Sequence, residues 1–121
     1  MIANAHTGIV ICLKQLSGNS LASGSDDGKI KIWDITTGQQ TKSITVAGAP
    51  SILDLETLNS DQYLVAALEN GKIIVYDTQN NYAIYNTLMF HTANKKVYRL
   101  AKSLDTQYLY SGSEDFFAIV K

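Results

Sequence analysis

Two sets of histidine, serine and aspartate have the residue types for covalent chemistry. They are His6, Ser23 and Asp27, and His91, Ser111 and Asp115. A serine nucleophile needs a histidine base and an acidic group that orients the base, so a hydrolase triad is one interpretation. Both sets, however, fall at matching places of an internal repeat, which favours a structural role. We therefore predict that the chain has no catalytic residues and is not an enzyme.

The other reactive residues lack the surroundings that a cofactor or metal site needs. Cys12 is the only cysteine, so it can form neither an internal disulfide nor a zinc site, and its apolar neighbours favour a core position. The run Gly24–Gly28 leads into a strand and carries two aspartates that would repel phosphate. The same aspartates lack the spacing of a calcium loop. The sequence predicts no cofactor and no metal.

The bulk composition is that of a soluble globular chain. The 121 residues are 45% hydrophobic and 17% charged, with a net charge of −1. Such a balance argues against nucleic-acid binding, and the absence of any apolar run of about 18 residues argues against a membrane span. The start of the chain does not resemble a signal peptide, and the single cysteine favours a cytosolic or nuclear compartment.

A predicted β-hairpin in Leu21–Asp34 organises the chain. An apolar run, a polar turn with glycine and an alternating run follow one another there, and the outline returns twice. Gly28, Gly71 and Phe116 occupy equivalent places, 43 and then 45 residues apart. Turn residues interrupt the chain about every ten positions, which leaves no room for amphipathic helices. The prediction is an all-β fold, with a period typical of four-stranded propeller blades.

The residues of this repeat resemble the WD40-repeat family of β-propellers. The matches in the first repeat are His6, Ser23, Asp27, Trp33 and the pair Trp33-Asp34. They correspond to the structural tetrad of that family, in which the histidine bridges the aspartate to the serine hydroxyl and the indole N–H reaches the same hydroxyl.

The two later repeats keep the tetrad only in part. The second has Tyr76-Asp77 for Trp-Asp, with Ala66 and Asn70 for the serine and aspartate and no histidine near Gly48. The third has His91, Ser111 and Asp115, with Lys121 at the tryptophan place.

The resemblance implies a β-propeller segment of three four-stranded antiparallel blades, with cycles of about 6–46, 47–90 and 91–121. Propellers typically have four to eight blades, so three leave the ring incomplete and two blade faces uncovered. Three explanations stay open. The chain is a piece of a longer propeller, it pairs with a second copy as a half-propeller that closes a ring, or it stands as an open wedge or docks onto another protein.

The resemblance also implies a binding rim at the top face, which is the wider end of the central channel of a propeller. It thereby implies a class of partner. Its candidates are the residue before each turn aspartate and two residues at the start of each first strand: Asp26, Glu69 and Glu114, and then Ile9, Ile11, Ser51, Leu53, Lys96 and Tyr98. Acidic turn residues beside apolar ones would suit a protein or peptide with basic groups near an apolar anchor. The alternative is that acidic residues simply favour hairpin turns.

Interaction without catalysis is the function that these features predict. The leading hypothesis is a protein–protein interaction scaffold within a larger propeller or assembly. The second is a substrate-recognition module of a ubiquitin-ligase-like complex, in which another subunit is catalytic. The sequence names no individual partner.

Overall fold

The computed structural model describes residues 6–58, 60–88, 96–102, 109–113 and 117–120. These residues form three antiparallel sheets, which confirms the all-β prediction. The first sheet contains β1 (Val10–Leu16), β2 (Ser20–Ser25), β3 (Lys29–Asp34) and β4 (Gln40–Thr45). The second contains β5 (Ile52–Leu58), β6 (Tyr63–Leu68), β7 (Ile73–Asp77) and β8 (Ala83–Leu88). The third contains β9 (Val97–Lys102), β10 (Leu109–Ser113) and β11 (Phe117–Val120), so it has three strands among the described residues rather than four.

Strand order follows chain order within each sheet, so each sheet is a meander. β1, β5 and β9 lie side by side at one end of their sheets, and β4 and β8 lie at the opposite end. Most side chains of β4 and β8 are exposed or half-buried, as expected for outer strands. The one helical element in the described part is a single 3₁₀ turn, Thr78–Asn80, and no helix there is long and apolar enough to cross a membrane.

The second sheet is buried on both faces because it lies between the other two. Leu64, Ala66 and Leu68 of β6 pack against the first sheet, whereas Val65 and Ala67 pack against the third. All five side chains are completely buried. This position explains why β6 is a continuous apolar run, since a strand covered on both faces has no solvent-facing positions to fill with polar residues.

Gly28 closes the turn between β2 and β3 and allows the loop after β4 to approach. Its φ of +80° lies in the left-handed region, and a Cβ there would lie 2.4 Å from the Ala49 Cα. The Gly28 carbonyl accepts a hydrogen bond from Val46 N at 3.0 Å. The turn is thereby fixed to the segment that leads into the second sheet.

A β-bulge interrupts the first strand of every sheet near its start. The pairing register skips Ile11 in β1, Leu53 in β5 and Tyr98 in β9. An unpaired extra residue bends the strand and redirects the neighbouring side chains. The bulges therefore recur at one edge of the molecule, the edge that also holds the turns after β2 and β6.

Candidate functional site

The side chains of His6, Ser23, Asp27 and Trp33 form one hydrogen-bonded network. His6 Nδ1 lies 3.0 Å from Asp27 Oδ2, and His6 Nε2 lies 2.7 Å from Ser23 Oγ. Trp33 Nε1 donates to the same Ser23 Oγ at 2.9 Å. If Nδ1–H donates to Asp27, Nε2 accepts from the serine hydroxyl, and every polar atom of the chain of bonds has a partner. The network joins the segment before β1 to β2, the following turn and β3.

Two backbone amides hold the Asp27 carboxylate in addition to the histidine. Lys29 N donates to Oδ1 at 2.9 Å and Thr7 N donates to Oδ2 at 3.1 Å. Partial burial raises the pKa of Asp27, but the hydrogen bonds from Lys29 N, His6 and Thr7 N outweigh it and lower this pKa below its ordinary value. Asp27 is therefore an ionised acceptor at neutral pH rather than an acid that exchanges protons.

Burial separates this network from any substrate. The His6 side chain is 0% exposed, and Ser23 and Trp33 are 2% and 6% exposed. A nucleophile must reach a substrate carbonyl, and the Ser23 hydroxyl has no open approach. The geometry instead clamps the segment before β1 onto the β2–β3 hairpin, which is a structural role.

The second sheet replaces this polar network with an apolar contact. Ala66 occupies the place of Ser23, since it pairs with Leu55 and Ile74 as Ser23 pairs with Leu13 and Lys31. Ala66 is completely buried against the first sheet, and Tyr76 at the tryptophan place is 2% exposed. Without a serine hydroxyl, the site needs no histidine to satisfy it.

Asn70 occupies the place of Asp27 in the second sheet and makes the same turn hydrogen bond. Its Oδ1 accepts from Lys72 N at 3.0 Å, just as Asp27 Oδ1 accepts from Lys29 N. The turn hydrogen bond needs only an acceptor oxygen, and the neutral amide supplies it without a charge.

The third sheet is described only in part at these positions. Ser111 is buried in β10 and pairs with Leu100 and Ala118, which is the place that Ser23 occupies in β2. His91 and Asp115 lie outside the described residues, so their assignment to the tetrad stays a prediction.

The rim candidates of the first sheet lie together. Ile9 is 71% exposed and Ile11 is 40% exposed, immediately beside the β2–β3 turn. Asp26 binds this segment twice: its Oδ1 accepts from Ile9 N at 2.7 Å, and its own N donates to Ile9 O at 3.1 Å. A Cβ at Gly8 would overlap that carboxylate. Asp26 thus has a positioning role in addition to its predicted role in binding.

The second sheet repeats the backbone part of this arrangement. Glu69 N donates to Ser51 O at 3.1 Å, and Glu69 is exposed while Ser51 and Leu53 are half-buried. Glu69 also borders a shallow groove of about 410 Å³ whose lining includes Pro50 and Lys96. The structure therefore brings Lys96 of the third sheet next to the acidic turn of the second.

Two remaining rim candidates have a more limited description. Tyr98 is the bulge residue of β9, and Glu114 lies outside the described residues. Tyr98 thus shares its backbone position with Ile11 and Leu53. Whether any rim candidate binds a partner stays a prediction.

A set of charged contacts between the sheets could not be seen in the sequence. Glu56 Oε1 lies 2.7 Å from Lys14 Nζ and 3.8 Å from Lys102 Nζ, so it links β1, β5 and β9. Asp54 Oδ2 accepts from Leu100 N at 2.8 Å. Each of these contacts joins residues of different strands, so only the packing of the sheets shows which ones meet.

The described residues contain no group of three or more histidine, cysteine and carboxylate side chains arranged to hold a metal ion. Cys12 is a free thiol whose Sγ lies 3.7 Å from Ile52 O. Burial and the nearby Asp54 carboxylate raise the pKa of Cys12 to about 12, so the thiol is protonated at neutral pH.

Comparison with known proteins gives the family. Residues 2–34, which include the network described above, match the family model for the WD domain, G-beta repeat. The solved structure of U3-55K superimposes on 95% of this chain with a TM-score of 0.84 and 23% sequence identity, and the match covers 36% of that chain. Residues 2–34 are thus a WD40 repeat, and the sheets of this chain are β-propeller-type blades. Domains of this class are generally protein-interaction scaffolds and are typically non-catalytic.

Three curated relatives illustrate the range of similar proteins. NACHT and WD repeat domain-containing protein 2 of Mus musculus is 28% identical over 66% of this chain and 4% of its own length. WD repeat-containing protein 91 of Xenopus tropicalis is 35% identical over 64% of this chain and 10% of its own length. Guanine nucleotide-binding protein subunit beta of Lymnaea stagnalis is 45% identical over 33% of this chain and 12% of its own length. The matched region thus spans a small part of each relative.

Proposed function

We propose that this chain is a non-catalytic interaction module that binds a protein or peptide at the rim defined above. The observation that carries the proposal is the recurrence of one local arrangement. In each of the first two sheets, a turn residue with an acidic side chain donates its N–H to the segment entering the first strand, just before a bulge. A repeated, rigid arrangement places equivalent side chains side by side along one edge.

The chemistry of the rim favours a ligand that is both basic and apolar. Ile9 and Ile11 are large exposed apolar side chains, and Asp26 and Glu69 are exposed carboxylates at neighbouring turns. An apolar anchor would cover the isoleucines, and a Lys or Arg side chain would meet the carboxylates. Lys96 lies near Glu69, so the negative charge of the rim is smaller on the side of the third sheet.

A peptide array tests this proposal, with variants that change one charge each. We expect hits enriched in basic residues near an apolar residue, and weaker binding of those hits to Glu69→Gln at low ionic strength. Asp61→Asn is the matched control, because it removes one carboxylate from the turn at the opposite edge of the same sheet. Hits without basic enrichment, or equal losses in the two variants, would refute the rim as the binding surface.

A second candidate function is self-association that joins the first sheet of one copy to the third sheet of another. Within the chain, Ile52 packs over Gly24, since a Cβ on Gly24 would lie 2.6 Å from Ile52 Cγ2. Val10 precedes the bulge of β1 as Ile52 precedes that of β5, and it is 42% exposed. Gly112 has the place of Gly24 in β10, and a Cβ there would meet no described atom within 4 Å.

The exposed face of the first sheet supports this contact. Leu13 is 61% exposed, whereas Leu55 at the same place in the second sheet is buried by the neighbouring sheet. Light scattering would test the candidate with a pair of variants matched in exposure, Leu13→Glu on this face and Ile84→Glu on β8. We expect a dimer that only Leu13→Glu dissociates. A monomer at every concentration, or equal effects of the two changes, would contradict it.

A further inference from the structure

A groove runs along the outer side of the molecule, between β4 of the first sheet and β7 and β8 of the second. Its volume is about 540 Å³. Apolar side chains form its floor, among them Ile44, Val46, Ile74 and Tyr76. Val46, Ile74 and Tyr76 belong to the core between the two sheets, and Ile44 packs against it. Val46, Ile74 and Tyr76 are at most 7% exposed, so the accessible apolar surface of the groove comes from the half-buried Ile44 and Tyr82 and from the exposed Ile84.

The charges of this groove are opposite to those of the rim. Its charged lining residues are Lys42 and Lys72, and its lining holds no aspartate or glutamate. Neither lysine forms an ion pair with a described residue. Lys42 lies opposite Ile32 in the β3–β4 register, on the face turned toward the second sheet. The backbone of Lys72 is fixed by the hydrogen bond that its N–H donates to Asn70 Oδ1. Two uncompensated positive charges beside an apolar floor favour a ligand that is anionic and apolar.

The shape of the groove favours an extended chain. β4 is the edge strand of the first sheet among the described strands, so one side of its backbone is open to pairing. β4 has six residues, which corresponds to about 20 Å of extended chain. Ile84, 61% exposed, borders the groove on the side of β8 and offers a further apolar contact. An extended peptide can satisfy the open backbone edge while alternate side chains enter the groove.

We propose that this groove binds an extended peptide segment that carries apolar residues and carboxylates. The apolar side chains contact Ile44, Tyr82 and Ile84, and the carboxylates pair with Lys42 and Lys72. This site is independent of the rim, and its charge preference is the reverse.

Fluorescence anisotropy with a labelled six-residue peptide of alternating leucine and aspartate tests the proposal. We expect the intact chain to bind this peptide and to bind its leucine–lysine counterpart at least about tenfold more weakly. The double variant K42E/K72E should lose about tenfold or more in affinity for the aspartate peptide. The control K31E reverses one charge on the opposite face of the same sheet and should leave the affinity unchanged.

Equal binding of the aspartate and lysine peptides would overturn the proposal, and so would unchanged affinity in the folded double variant. If the double variant does not fold, Ile84→Glu supplies the second test, because it adds a negative charge at an exposed position of the groove wall. Weaker binding of the aspartate peptide to Ile84→Glu supports the groove, and unchanged binding refutes it. Loss of aspartate-peptide binding on adding inorganic phosphate, with no effect of matched sodium chloride, would show a free-anion site rather than a peptide site.

Discussion

Replacing Asp27 by alanine should destabilise the protein far more than the same change at its neighbour Asp26. Asp27 accepts hydrogen bonds from His6 Nδ1, Lys29 N and Thr7 N. The His6 side chain is fully buried, so after the substitution water cannot replace the lost acceptor. A buried donor without a partner costs about 1–3 kcal/mol, and the lost amide contacts bring the expected loss to about 2–3 kcal/mol.

The Asp26→Ala variant is the matched control. Asp26 is exposed and its side chain accepts one hydrogen bond, from Ile9 N, which water can replace. The expected loss is about 0.5–1 kcal/mol, so the two variants should differ by about 1.5–2 kcal/mol in the free energy of unfolding. Asp27→Asn should fall between them, because an amide oxygen can still accept from Lys29 N as Asn70 accepts from Lys72 N.

Urea denaturation followed by tryptophan fluorescence measures these differences directly. Trp33 is the single tryptophan and its indole N–H is part of the network, so its emission reports both unfolding and the local change. Equal slopes with different midpoints would show a change in stability alone. Equal midpoints for Asp26→Ala and Asp27→Ala would refute the assignment of Asp27 to a buried clamp.

The remaining predictions concern pH, the second sheet and the cysteine. Because the folded pKa of Asp27 lies below its ordinary value of 3.8, its contribution is complete above about pH 3.8 and is lost as the pH falls through the folded pKa. The stability gap between the wild type and Asp27→Asn should therefore narrow as the pH falls below 3.8 in acid titrations of the unfolding midpoint. A gap that widens there contradicts this. Ala66→Ser buries a hydroxyl in an apolar contact that has no histidine, and should lower the free energy of unfolding by about 1–3 kcal/mol in the same urea assay. A neutral effect would show that a partner is available there. Cys12, half-buried and with its pKa raised to about 12, should react with an aromatic disulfide reagent more slowly in the native state than after unfolding, and equal rates in the two states would contradict this.

The repeat made the architecture predictable because its signals are local. Strands are marked by the alternation of apolar residues, and hairpin turns are marked by Gly28 and Gly71. Both signals depend only on neighbours in the chain, so short stretches of sequence predict the strands and hairpins. The network was predictable because His6, Ser23, Asp27 and Trp33 match the structural tetrad of the WD40-repeat family by position.

The ends of strands were harder to predict where polar residues of a strand make contacts between the sheets. β1 continues to Leu16, beyond the apolar run of the sequence, which stops at Leu13. Lys14 lies in this continuation and pairs with Glu56 of β5. The second role of Asp26 as an acceptor for Ile9 N was also missed, because it depends on how the two segments meet.

The bulges and the groove could not be predicted from the sequence. A bulge depends on the register between two strands, and Ile11, Leu53 and Tyr98 share no residue type that would mark it. The groove depends on the spacing of two sheets whose outer strands are separate in the chain. Features of this kind appear only once the sheets are packed against each other.

Hydrogen–deuterium exchange of the chain with its best-binding array peptide tests the central claim most directly. If the rim is the binding surface, the peptide should slow exchange in the turns around Asp26 and Glu69 and at the starts of β1 and β5. Peptides covering β4 and β8 should exchange at the same rate with and without the ligand. Protection confined to β4 and β8, with an unchanged rim, would contradict the proposed function and place binding in the groove.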